Sequence, residues 1–168
     1  YDNGWAQGGA MANNSTYYGI TLPLGPAFGG PLFFAHYSFL GLDPRGLKDA
    51  YANYWTQNTA HAMINYKYCV DNPKGYAGYS SSVWGLTASD DNNGYAAHAP
   101  DNDLGVISPT AALASFSYTP QQSMDALKFF YYKLGDRIWK DYGFVDAFNL
   151  HVPWFANSFL AIDQGPII

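Results

Sequence analysis

The longest helical signal runs over residues 50–70, where Tyr51, Tyr54, Trp55, Asn58, Ala62, Ile64, Tyr66, Cys69 and Val70 roughly keep a helical spacing, and Asp71-Asn72-Pro73 stops it. A second helix is predicted from Thr119 to about Leu134. Thr119 is placed as N-cap, Pro120 in the first helical position and Gln122 as a capping-box partner, with Met124, Leu127, Phe130 and Tyr131 on one face and Gly135 as the stop. Residues 31–40 (PLFFAHYSFL) form a short apolar helix that begins at Pro31, and DPRG at 43–46 is a turn. Ser108 caps a short helix over 110–115, and residues 137–142 add one more turn. Between these lie stretches without a period. Residues 1–30 are Gly/Asn/aromatic loop with room for short strands. Residues 75–82 are Gly/Tyr/Ser loop, 83–103 loop, and 143–165 aromatic loop. Helix outweighs strand, so the expected class is mainly α and loop-rich, and no internal repeat is evident.

Composition sharpens this picture. Aromatic residues make up 18% of the 168 positions, among them 15 Tyr and 5 Trp. Tyr and Trp carry an apolar face and a polar edge, which suits half-wet surfaces, and a sugar ring has the same two-sided character. The excess therefore favours a carbohydrate cleft, with an aromatic core and Tyr-rich surface as the equally weighted alternative. The net charge is −5 with 12% charged residues and no basic stripe, which argues against nucleic acid and anionic membranes as partners. No apolar run reaches membrane-spanning length. Cys69 is the single cysteine, so no intrachain disulfide forms, and it is expected to be a small core residue. All 13 acidic residues are Asp. Acid–base chemistry done by this chain must use Asp or His, and a required Glu must come from elsewhere. The chain is expected to be an internal piece of a larger protein.

Paired carboxylates carry glycoside hydrolysis. The candidates here are loop aspartates: Asp43, Asp90, Asp91, Asp101, Asp103, Asp146 and Asp163. Asp146 stands out because Tyr142, Phe144, Val145 and Phe148 flank it, and partial burial raises a carboxyl toward a useful range. Asp90 follows Trp84 and precedes Tyr95, a grouping that offers hydrogen bonds and a stacking face to sugar; a loop cap is its plainer reading. Asp163 is expected chiefly as the N-cap of the last helix, with a second role toward substrate. His98 is the histidine most suited to face a substrate. His36, His61, His98 and His151 show no zinc spacing, and no nucleophile elbow or phosphate loop is present. Asp91, Asn93, Asp101 and Asp103 offer oxygens to calcium, but the EF-hand spacing and closing Glu are missing. No metal or other cofactor is expected, with calcium as the weaker alternative.

Five strings occur in order: SVWGLTASD at 82–90, GYAAHAP at 94–100, ISPTAALAS at 107–115, YGFVDAFN at 142–149 and IDQGPI at 162–167. Together they resemble the glucoamylase-like (glycoamylase) domain of bacterial carbohydrate enzymes, related to endo-β-1,2-glucanases and to domains of cyclic β-1,2-glucan synthases. The resemblance implies the C-terminal part, roughly half, of an α/α toroid (six-hairpin barrel) with a cleft at one end. It implies a glycoside hydrolase acting on a glucan, most suitably β-1,2-linked, in the periplasm or outside the cell. This fragment alone is expected to be inactive and to complete its site with the remainder of its own domain. By resemblance Asp146 is the catalytic carboxylate and Trp84, Tyr95 and Trp154 are cleft aromatics; with Asp90, His98 and Asp163 these are the residues expected to bind an oligo- or polysaccharide. The resemblance also implies a Glu general acid preceding these strings, which this chain lacks. A non-catalytic carbohydrate-binding or structural module of the same fold is the alternative.

Overall fold

The computed structural model describes residues 11–168. It opens on a hairpin, β1 (Ala12–Tyr17) against β2 (Ile20–Leu24), in the stretch read as loop with short strands. The part of that stretch before Met11 lies outside the described residues. Helix α1 (Phe33–Tyr37) and helix α2 (Tyr54–Asp71) follow. The second hairpin is β3 (Ala88–Asp91) with β4 (Gly94–Ala97). Then come α3 (Pro109–Ala114), α4 (Pro120–Ile138), two minimal hairpins and α5 (Ala161–Gln164). The minimal hairpins are β5 (Trp139–Lys140) with β6 (Gly143–Phe144), and β7 (Phe148–Asn149) with β8 (Trp154–Phe155). Among the described residues helix still outweighs strand, but "mainly α" undercounts four antiparallel hairpins. No described helix is long and apolar enough to cross a membrane.

The helix boundaries shift for local reasons. The α2 helix starts at Tyr54 rather than Ala50 because the Asp49 carboxylate accepts the amides of Tyr51 and Ala52, fixing a turn, and the Asn53 side chain accepts the amide of Thr56 as N-cap. It ends as expected, with Asn72 in the left-handed region at φ 48°. The α4 helix starts at Pro120 but runs through Gly135 to Ile138. A mid-helix Gly costs about 1 kcal/mol against Ala, and burial of Ile138, fully inaccessible, offsets it. Thr119 precedes the helix without a side-chain capping bond; its hydroxyl donates to the Ser115 carbonyl instead. Gln122 forms no capping box either, and its carbonyl accepts the Trp84 indole N–H at 3.3 Å.

Helix α2 is buried along a polar row, which holds the fold in register. Gln57 brackets the backbone of Leu24, accepting its amide at 2.9 Å and donating to its carbonyl at 3.1 Å. One turn on, His61 Nε2 contacts the Gly30 carbonyl at 2.9 Å. One turn further, Asn65 brackets Leu86, at 3.0 and 3.2 Å. Residues four apart share a helix face, so one stripe reads three separate backbones. Buried polar groups persist where they are satisfied, and these are.

The segment around Trp84 is the hub of the core. Trp84 has no exposed surface and meets Tyr66 edge-on at 5.4 Å. The Leu86 carbonyl also accepts the Leu32 amide, the Thr87 hydroxyl accepts the Phe33 amide, and the Gly85 carbonyl accepts the Ser108 amide. SVWGLTASD therefore ties α1, α2 and α3 together. Gly85 makes this possible: its φ is +121°, and a Cβ there would lie 2.9 Å from both the Ala112 nitrogen and the Ser108 oxygen. Gly85→Ala is expected to destabilise by about 1–3 kcal/mol from backbone strain alone, with the clash in addition, read as a lowered thermal midpoint.

Candidate active site

Three aspartates from three distant segments meet at one edge of the fold. Asp90 lies on β3, Asp146 between β6 and β7, and Asp163 on α5. The Asp90 amide donates to Asp146 Oδ2 at 2.7 Å. The Ser158 hydroxyl donates to Asp90 Oδ2, and the Tyr37 hydroxyl at the end of α1 donates to Asp163 Oδ1. Asp146 and Asp163 are within hydrogen-bonding reach of each other. Backbone bonds fix the Asp146 segment on both sides: its amide donates to the Ser158 carbonyl, and its carbonyl accepts the Ser108 hydroxyl at 2.7 Å.

Burial dominates the electrostatics. It pushes the Asp146 carboxyl up to about 7; the Asp90 amide opposes this, and the charges of Asp163 and Asp90 reinforce it. Burial also raises Asp163, against the hydrogen bonds from Tyr37 and Asp146. Burial first, and then the bond to Asp163, holds the Tyr37 phenol well above its ordinary range, so it stays a donor. Tyr95 sits across the hairpin from Asp90 and is raised by partial burial and then by the charges of Asp163, Asp146 and Asp90.

Asp146 is only 1% exposed, deeper than its aromatic flanks implied. The surface of the cluster is formed by Asp90, by Tyr95 at 61% exposure, and by a hollow of about 470 Å³ that Asp90 shares with Trp154, Asn157 and Ser158. Asp90, Tyr95, Trp154, Asp146 and Asp163 are thus brought to one region.

Two expected contributors are not. Trp84 is a core residue, and a ring with no exposed face has none to give a sugar. His98 is also fully buried; among the described residues neither ring nitrogen has a hydrogen-bond partner, and the Asp91 carboxylate is 3.9 Å away, so it does not face a substrate. Asp163 is not the N-cap of α5, since Leu160 takes that position and Asp163 lies in the first turn with its carboxylate turned to Tyr37.

The stretch considered for calcium is put to other uses. Asp103 accepts the Tyr79 and Tyr68 hydroxyls at 2.7 and 3.0 Å together with the Gly105 amide, and Asp91 accepts the Asn93 amide in the hairpin turn. Among the described residues no group of three or more His, Cys, Asp or Glu is placed to hold a metal ion. Tyr37 and Ser158 were missed by sequence reasoning. The one available signal for Tyr37, a hydroxyl inside an apolar run, has no local meaning.

Against known families, the whole chain, residues 1–168, matches the Glycoamylase model, described as "Putative glucoamylase". The chain belongs to the glycoamylase family. This glycoamylase chain is 48% identical over 169 residues to an exo β-1,2-glucooligosaccharide sophorohydrolase (non-reducing end) of Parabacteroides distasonis, covering 99% of the chain and 23% of that protein. It superposes with a TM-score of 0.96 and 61% identity on a crystal structure of a "putative glucoamylase" from Bacteroides uniformis, covering 99% of the chain and 41% of that structure. It superposes with a TM-score of 0.95 and 53% identity on an endo-β-1,2-glucanase from Chitinophaga pinensis in complex with sophorotriose and glucose, covering 99% and 41%. The glycoamylase chain therefore spans less than half the length of each of these relatives.

Proposed function

We propose that the chain forms part of the catalytic domain of a glycoside hydrolase acting on a β-linked glucan of the β-1,2 type. The observation that carries this reading is the convergence of Asp90, Asp146 and Asp163 beside a hollow walled by Trp154. Carboxylates beside a half-exposed indole offer a sugar both proton chemistry and a stacking face. The family description by itself points toward α-glucans. The two relatives named for their substrate are β-1,2-glucan enzymes, and this favours the β-1,2 linkage.

Within this reading Asp146 is the proton acceptor for an attacking water. Its carboxyl lies near 7, where it is basic and still ionised in part of the population at neutral pH. Asp146 itself is buried, and the open side of the cluster lies at Asp90 and Ser158. Asp90, Tyr95 and Trp154 hold the sugar. The general acid and the rest of the cleft belong to the remainder of the domain, and the chain alone is inactive. The fold is proposed as the C-terminal part of an α/α toroid, and a polymeric substrate suits the periplasm or the cell exterior. An acceptor acting through water implies inversion at the anomeric carbon.

The test is hydrolysis by the full-length protein of β-1,2-, β-1,3-, β-1,4- and α-1,4-glucans, with the first-released anomer followed by proton NMR. Cleavage of the β-1,2 polymer with inverted product is expected. Activity confined to α-1,4-glucan, or none on any glucan, overturns the reading, and the latter favours a binding module. Trp154→Ala is expected to weaken glucan binding several-fold, because an aromatic contact is worth about 0.5–1.5 kcal/mol. Its thermal midpoint should change little, and isothermal calorimetry checks the affinity.

A further inference from the structure

Asp146 Oδ1 and Asp163 Oδ2 are both closed off from solvent, and neither has a hydrogen-bond donor from the described residues. Their sister oxygens are committed, Asp146 Oδ2 to the Asp90 amide and Asp163 Oδ1 to the Tyr37 hydroxyl. The fold holds the two side chains as neighbours: the Gln164 side-chain amide, next to Asp163, donates to the Phe144 carbonyl at 2.7 Å, two residues before Asp146, and each carboxyl perturbs the other. Two ionised carboxylates held together away from water repel strongly, and such a pair keeps one proton between its oxygens. Asp90 on β3 adds negative charge, while Tyr95 on β4, Tyr37 on α1 and Ser158 are neutral. Among the described residues no Lys or Arg is ion-paired with any of the three aspartates.

We propose that Asp163 is a positioning residue that shares a single proton with Asp146, and that the Tyr37 hydroxyl decides which of the two carries it. This rests on the reading of Asp146 as the proton-handling group of the site. Tyr37 donates to Asp163 and so favours its ionised form. The shared proton then resides on Asp146, as an O–H directed at Asp163 Oδ2. Loss of that proton frees Asp146 as a base. The pair titrates as a unit, and its upper step is the one that switches Asp146.

The directions of two substitutions separate this arrangement from simple packing. Asp163→Asn removes the neighbouring negative charge, so Asp146 no longer needs the proton, and the switching step should move to lower pH by at least about one unit, a tenfold change in proton affinity. Tyr37→Phe removes the donor that favours ionised Asp163, so the pair holds its proton more tightly and the step should move to higher pH.

The experiment is the pH dependence of kcat/KM of the full-length protein and these two variants on a β-1,2-glucan. It is paired with an infrared titration of the free proteins that follows the carbonyl stretch of a protonated carboxyl. Expected are an acid limb near neutrality in the wild type, opposite displacements in the two variants, and a protonated-carboxyl band in the wild type that persists into the same range. Absence of that band above about pH 5 overturns the proposal, since ordinary aspartates are ionised there. Unmoved limbs in both folded variants overturn it as well. Tyr37→Phe loses one oxygen and keeps the ring, so it carries the kinetic test if Asp163→Asn does not fold. If Asp146→Asn keeps its turnover, the underlying reading of Asp146 fails, and the infrared band still decides whether the proton is shared.

Discussion

In the full-length protein, Asp146→Asn is expected to lower turnover about 10²–10⁴-fold while leaving glucan binding nearly intact, because proton transfer by a positioned group is worth that much and the buried side chain contributes little contact surface. The same variant has a second signature. Burial holds the Asp146 carboxyl near 7, well above the range of an unfolded aspartate. Between about pH 4 and pH 7 the folded protein therefore keeps a proton that the unfolded chain releases, and the wild type should lose stability as pH rises through that window. The contribution is fully present below the unfolded value and is gone above the folded one. Asn does not titrate, so the variant should show a flatter dependence and gain relative stability at neutral pH. Urea midpoints at a pH on either side of the window would measure this. Turnover within a few-fold of wild type would remove Asp146 from the chemistry, and an unchanged pH slope would remove it as the titrating group.

The second large effect is on the fold. Trp84→Ala is expected to cost about 3–5 kcal/mol, the range for deleting a fully buried large aromatic. Domains are stable by only about 5–15 kcal/mol, so this is a large fraction of the whole. The indole also leaves the Gln122 carbonyl without its donor. Thermal melting and soluble yield should fall sharply, while glucan affinity of whatever folded protein remains should match the wild type. Trp154→Ala should behave in the opposite sense. A Trp84→Ala protein that melts normally but fails to bind glucan would restore Trp84 to the cleft.

This contrast shows what the sequence could convey. SVWGLTASD is the most recognisable string in the chain, yet most of it serves architecture. Trp84 fills the core, Gly85 permits a close approach to α3, and Leu86 is bracketed by Asn65. Only its last residue, Asp90, reaches the site. A tryptophan beside an aspartate looks the same in a core as in a cleft, because burial is set by elements far away in the chain. Helix starts were legible at Pro120 and Ser108, where proline's fixed φ acts locally. The stop at Gly135 was not, since packing of Ile138 overrides a small local penalty. The sequence of the β3–β4 hairpin reads as loop because Ala, Asp and Gly carry little strand propensity. The burial of Asp146 was legible in its aromatic neighbours. Tyr37 was not, because its partner is remote.

The order in which a ribosome delivers the chain has a consequence for this cluster. Tyr37 and Asp163 are 126 positions apart, Asp90 and Ser158 are 68 apart, and Asp90 and Asp146 are 56 apart. Helix α2 can close its own bonds as it emerges, whereas the aspartate cluster needs β3 to wait for the segment around Asp146 and α1 to wait for α5. Contacts that distant form after the loops between them have been closed. During synthesis Tyr37 and Asp90 therefore wait for their partners, and a chain interrupted between α4 and the segment around Asp146 carries both long helices without the aspartate cluster.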